Sequence, residues 1–191
     1  MRSNPAKGEL RHVMYMLLER ALAAAAIAGQ HLEPMHDRGD GVLVLIRPHD
    51  DVPKTILVNR LIPLLAGLLE EYNAQVTDPE LRMRLRVVVH AGEVHSDSRA
   101  FYGEAIDVAV RLLDASPVKV ALRQTTRPLV LVVSEEIYRG IIAHGYAACQ
   151  TYRPLVLVSV NDRTHRGWVH IPASAEHPGA VVRRLLVAAR R

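Results

Sequence analysis

Few residues of this chain stand at spacings that could do chemistry. Asp107 and Arg111 lie four apart in a stretch with helical apolar spacing, so they share one helix face. There they could simply form an i,i+4 ion pair worth about 0.3–0.5 kcal/mol. Arg38-Gly39-Asp40-Gly41 is a turn-forming run, since Asp and Gly both favour tight turns. His31 with His36, and His90 with His95, are each five apart. On a strand an odd offset puts two side chains on opposite faces, so these are poor metal pairs and read as hydrogen-bonded or surface histidines. The chain contains no Gly-x-Ser-x-Gly elbow, no Walker loop and no His-Glu-x-x-His. Its single cysteine, Cys149, has no activating motif beside it and reads as a plain half-buried thiol. One cysteine excludes a disulfide scaffold and a Cys-based zinc site, and it fits a reducing compartment.

The elements that must position these residues follow from periodicity and punctuation. Residues 7–28 read as a helix, with Val13, Met14, Leu17, Leu18, Ala21, Leu22 and Ala25 at helical spacing, Asn4-Pro5 at its start and Gly29 as terminator. A short strand over 31–36, the turn 37–41 and a strand over 42–46 read as a hairpin. A second helix runs from about residue 50 to 73, kinked or divided at Pro63. Residues 85–94 form a nearly unbroken β-branched run, which suits a central strand covered on both faces. A helix over 103–114 follows, then a strand over 129–133 and a helix opening at Ser134 as cap. Residues 155–160 and 167–171 close as a strand pair around Asn161-Asp162, and 180–191 form a basic amphipathic tail. The class is α+β or mixed α/β, one sheet with helices mainly on one face.

Composition bounds the function. The chain has 191 residues, 49% hydrophobic and 23% charged, which is enough for one sizeable core and excludes disorder. Aromatic residues make up only 4%, too few for a stacking platform on single-stranded nucleic acid. The formal charge of +4 is a mild bias that does not point to a nucleic-acid partner. No stretch supplies the ~20 apolar residues of a membrane span, and the N-terminus has no signal-peptide pattern, so the expected location is the cytoplasm. The tail arginines Arg183, Arg184, Arg190 and Arg191 read as a solvated end, or as a contact for acidic lipid or nucleic acid.

Four segments taken in order carry a resemblance. They are Arg38-Gly39-Asp40-Gly41-Val42-Leu43-Val44, then residues 85–94 with Gly92 near the strand's end, then Tyr102-Gly103-Glu104-Ala105-Ile106-Asp107-Val108-Ala109-Val110-Arg111, and Ser134-Glu135-Glu136-Ile137-Tyr138 after an apolar strand. Together, over about residues 7–172, they resemble the class III nucleotidyl (adenylate/guanylate) cyclase homology domain in a divergent bacterial branch. The resemblance implies a ferredoxin-like βαββαβ sandwich as one domain over 1–172, with a basic tail over 173–191. It implies a homodimer with the active site shared between protomers, a nucleoside triphosphate as ligand and Mg2+ or Mn2+ as cofactor. If active, the chain would be a nucleoside-triphosphate cyclase, a phosphorus–oxygen lyase.

By the same resemblance Asp40 matches a metal aspartate, and a turn can aim a carboxylate at a hard cation. Asp107 falls where the family has Asn, and Arg111 where it has its transition-state Arg. Arg163 or Arg166 could replace a late phosphate-binding Lys. The departures are equally specific. A carboxylate at Asp107 cannot donate the hydrogen bond of an amide. His36 and Ala100 stand at the base-selecting positions, where Ala cannot read a purine. No strand with the first metal aspartate precedes the first helix. That strand would lie centrally between 42–46 and 85–94, so either residues upstream of Met1 supply it, the favoured explanation, or the domain is a degenerate form. These departures lead to an expectation of nucleotide binding with weak or no cyclisation. The alternative is a non-catalytic signalling or interaction module of the same fold.

Overall fold

A computed structural model of the chain describes residues 3–147 and 151–173. Cys149 and the basic tail lie outside the described residues. The chain divides into two compact units, one ending at Met83 and one spanning Arg84–Pro172.

The first unit opens with α1 (Asn4–Ala24). Ser3, rather than Asn4, is its N-cap: the Ser3 hydroxyl accepts from the Ala6 N–H, and Pro5 occupies the first turn, where its missing N–H costs nothing. The helix stops five residues before the expected Gly29. Ala26 takes a left-handed φ of 62° and the Ile27 N–H returns to the Leu22 carbonyl, a Schellman-type end. Its buried face, Leu10, Val13, Met14, Leu17, Ala21 and Leu22, packs against α2 (Ile62–Gln75). The expected effect of Pro63 appears as a π turn, Leu57–Leu61, directly before α2. Proline has no N–H for the carbonyl four residues back, and a wider turn absorbs the defect. The expected hairpin is antiparallel but short. β1 (His36–Asp37) pairs with β2 (Val42–Leu43), and one further bridge joins Leu32 to Ile46.

The second unit is a four-stranded sheet in the order β3-β6-β8-β7, formed by β3 (Leu85–Val89), β6 (Leu129–Ser134), β7 (Arg153–Val160) and β8 (Arg163–His170). β3 and β6 are parallel, and the other pairs are antiparallel. Two expectations for 85–94 are corrected. The strand ends at Val89, because its partner ends at Ser134 where α5 (Glu135–Ile137) begins. It is also an edge of this sheet rather than a central strand, and four of its five residues are only half-buried. Of the two inner strands, β6 and β8, it is β6 whose residues are all buried. β4 (His95–Ser96) and β5 (Phe101–Tyr102) form a small separate hairpin.

α3 (Glu104–Asp114) and α4 (Ser116–Gln124) cover one face of the sheet. Val108, Leu112 and Val118 meet Val130, Val132, Val156, Val160 and Val169. α4 was not expected from the sequence. Its end is tied to the residue just before β3: the Arg84 guanidinium donates to the carbonyls of Leu122 and Thr125 at 2.5 and 2.6 Å, where the helix leaves its last carbonyls unpaired. The β7–β8 turn places Asn161 and Asp162 at φ 48° and 60°, the two-residue turn that matches the twist of a hairpin. Among the described residues no helix is long and apolar enough to cross a membrane.

Candidate functional site

The second unit carries Asp107 and Arg111 on α3, at its exposed face. Two glycines let α3 approach the sheet edge this closely. Gly103, the residue before the helix, has φ 137°, and a Cβ there would stand 3.2 Å from the Glu93 carbonyl oxygen. A Cβ on Gly92 would stand 2.7 Å from that of Ala105 and 3.2 Å from His90 Nε2. The Gly that ends the apolar run therefore makes room for the helix. Leu112 completes the docking by seating over Gly167 of β8.

Arg111 lines an open groove of about 300 Å3 with Asp114, Ala115, Val158 and Ser159. The i,i+4 ion pair with Asp107 does not form: both side chains are exposed, and neither has an ion-pair partner within 4 Å among the described residues. Asp114 is already committed. It takes a 3.0 Å bond from Arg86 and lies 3.4 Å from Lys119 Nζ. The Arg86 hydrogen bond, with Lys119 adding to it, holds the Asp114 carboxyl below its usual range. The groove thus offers one uncommitted guanidinium, able to take an anionic oxygen in a forked hydrogen bond.

Arg163 and Arg166 do not converge. Three residues apart on β8, they face opposite sides of the sheet. Arg163 is on the α3 side, 3.9 Å from Glu104 Oε1, while the Arg166 guanidinium lies 5.9 Å from the Trp168 ring centroid. Trp168 in turn stacks on Tyr138 at 4.2 Å and 5°. Both arginines are solvent-exposed.

Asp40 belongs to the first unit, in the β1–β2 turn. Gly39 supplies the positive φ of 83°, the Arg38 N–H reaches the Gly41 carbonyl at 2.9 Å, and the Gly39 N–H donates to Asp37 Oδ1 at 2.8 Å. Asp37 also pairs with Arg11, so it shapes the turn, and the exposed Asp40 carboxylate has no assigned ion-pair partner among the described residues. Alone it can contribute one oxygen to Mg2+ or Mn2+. Hard cations of this kind take six or more oxygens, and two-metal sites share several carboxylates. Among the described residues no second carboxylate joins Asp40 in a group of three or more metal-ligand side chains, so the residues present do not fit a two-metal centre.

A cluster absent from the sequence reading lies at the C-terminal end of the parallel strands. His90, one residue beyond β3, places Nδ1 3.4 Å from Glu136 Oε2 of α5. His165 of β8 places Nε2 3.8 Å from Glu104 Oε1. Burial lowers the pKa of His90, opposed by Glu136 and reinforced by the positive field of His165, so the ring favours its neutral form. A half-buried neutral imidazole beside a carboxylate can accept and hold a proton. Only the position of His90 just after an apolar strand hinted at it, because its partners come from 46 and 75 residues away by number (136 − 90 and 165 − 90). Glu93 and His95 lie beside the start of α3. The Glu93 carbonyl crowds Gly103, and the His95 ring stacks on Tyr102 at 5.7 Å.

No family model matches the chain, and no curated protein matches it. A solved structure does. The crystal structure of an adenylate/guanylate cyclase/hydrolase from Silicibacter pomeroyi superposes with a TM-score of 0.57 at 19% identity, over 85% of this chain and 83% of that one. At that identity the likeness speaks for architecture alone. The chain therefore has an α+β fold of the nucleotidyl-cyclase-like kind.

Proposed function

We propose that this chain is a divergent nucleotidyl-cyclase-like domain that binds a nucleoside triphosphate and cyclises it weakly or not at all. The observation that carries the reading is Arg111, an exposed guanidinium without an ion-pair partner among the described residues, held in a groove on the helix that the resemblance assigns to phosphate. Three features argue for weak catalysis. Asp107 offers a carboxylate where an amide donor is needed, Ala100 and His36 replace base-reading groups, and Asp40 stands without a second metal carboxylate. A homodimer, with Mg2+ or Mn2+ accompanying the nucleotide, belongs to the same proposal.

The second reading, a non-catalytic interaction module of this fold, is favoured by Leu155 and Leu157 of β7, 50% and 66% exposed on an edge strand. Incubating the purified chain with each nucleoside triphosphate and Mn2+, with melting and cyclic product followed together, separates the two. Stabilisation with little or no product supports nucleotide binding, because a ligand of the folded state raises its melting temperature by mass action. No stabilisation by any triphosphate supports the interaction module.

A further inference from the structure

We propose that the first unit carries a site for a borderline divalent metal of the Zn2+ kind, formed by His31, His49 and Asp51. It is independent of the nucleotide reading. One potential ligand atom from each of the three residues lies within 4.8 Å of the other two. His49 Nδ1 is 3.4 Å from Asp51 Oδ2, and the His31 and His49 rings lie 4.4 Å apart, tilted by 40°.

The backbone builds this arrangement. The Glu33 N–H bonds the Leu45 carbonyl and the Arg47 N–H bonds the His31 carbonyl, at 2.9 and 2.8 Å, so the segment after Gly29–His31 runs antiparallel to the one ending at Arg47. Two residues later the chain turns, with the Val52 N–H on the His49 carbonyl at 3.0 Å and the Asp51 N–H on His49 Nδ1 at 3.2 Å. That turn brings the Asp51 carboxylate back to the His49 ring. The Arg47 side chain reinforces the crossing by bonding Glu33 and the Gln30 carbonyl.

The donor set selects the metal class. Two imidazoles and one carboxylate suit Zn2+ and its first-row neighbours, whereas Mg2+ and Ca2+ want oxygen throughout. Tetrahedral ligands about 2.0–2.2 Å from zinc sit roughly 3.3–3.6 Å apart, so side-chain rotation of about 1 Å closes the set. His31 is 6% exposed, while His49 and Asp51 face solvent. An ion would thus be gripped from the protein side and entered from outside, with a fourth position left for water or another ligand. Gln30 Nε2, 3.3 Å from His31 Nε2, must release or re-aim that ring if Nε2 is the ligating atom.

The test uses the full chain, stripped with a chelator and titrated with Zn2+ in competition with a chromophoric chelator, beside His49→Ala, Asp51→Asn and the double variant. Both changed residues are exposed, and circular dichroism checks the fold. The expected result is one tight equivalent in the wild type, weakened in each single variant by at least the roughly 10–100-fold typical of losing even an outer-shell partner. At about a hundred times Kd, Zn2+ should raise the melting temperature by roughly 5–10 °C. Co2+ loaded into the wild type should give the intense visible absorption of a four-coordinate ion, which Asp51→Asn reduces. Absence of saturable Zn2+ binding, or equal binding by the double variant, overturns the proposal.

Discussion

Gly167→Ala tests how α3, and with it Arg111, is set on the sheet. A Cβ at this position would stand 2.9 Å from Leu112 Cδ2, 3.0 Å from Val132 Cγ2 and 3.1 Å from Val156 Cβ. Leu112 and Val132 are fully buried, and Val156 is 1% exposed, so none can swing into solvent. Overpacking of this kind costs about 1–3 kcal/mol. Replacing a strand glycine returns about 0.5–1 kcal/mol through lower unfolded-state entropy. The net loss is then about 0–2.5 kcal/mol, a fall in melting temperature of up to roughly 10 °C for a chain of this size. The diagnostic arm is a double-mutant cycle with Leu112→Ala. That change alone opens a cavity and costs about 2–5 kcal/mol, but it removes the nearest clash. In its background Gly167→Ala should be close to neutral, leaving only the contacts with Val132 and Val156, so the two effects are non-additive by about 1 kcal/mol or more. Urea melts of the four proteins give the values. Strict additivity of the two changes would show that Leu112 is not held over Gly167 as described.

Three further outcomes follow from the same geometry. His90 and His170 are both held below the ordinary histidine range, chiefly by burial, with Glu136 opposing the shift of His90 and the Thr151 backbone that of His170. The unfolded chain therefore takes up these protons first. Stability should be full above about pH 6.5 and fall as pH drops through that value towards the lowered folded ones, and a flat urea midpoint from about pH 7.5 to 5 would contradict this. Arg86→Ala removes bonds to the Leu113 carbonyl at 2.8 Å and to Asp114 Oδ1 at 3.0 Å, tying β3 to the end of α3, and should cost about 1–3 kcal/mol in a denaturant melt. Asp40→Ala should leave the melting temperature within about 1 °C of wild type, because the turn is held by Asp37 and Gly39, and a larger fall in a thermal melt would show that Asp40 helps hold it.

Local signals carried the elements that depend on neighbours in sequence. The apolar stripe of α1, the Asp-Gly hairpin, the amphipathic α3 and the alternation in β7 and β8 each fit within a dozen or so residues. What was hidden depended on partners far away. The 85–94 run looks central from its composition, yet which strand it pairs with, and where the ladder stops, are set by residues 129–134. α4 is nine residues long and polar on average, with only Val118 fully buried, so its Ser116-Pro117 start passed as loop. Among site residues the placement of Asp107 and Arg111 on one exposed helix face was legible, since a four-residue offset suffices. Their failure to pair was not, because spacing along a helix does not fix side-chain rotamers. The opposite facing of Arg163 and Arg166 follows from their odd spacing once the strand is extended back to Arg163. The closeness of His31 to His49 needs the antiparallel bridge between Leu32 and Ile46, and no spacing along the chain announces it.

The central claim, that this cyclase-like fold binds a nucleoside triphosphate through Arg111, is tested most directly by calorimetric titration. The full chain and Arg111→Ala are each titrated with triphosphate in the presence of Mn2+. The wild type should show saturable binding. Arg111→Ala should bind at least roughly tenfold more weakly with its melting temperature unchanged, as expected for losing a charge-assisted forked contact from an exposed side chain. No heat of binding in the wild type, or equal affinity in the variant, would contradict the account.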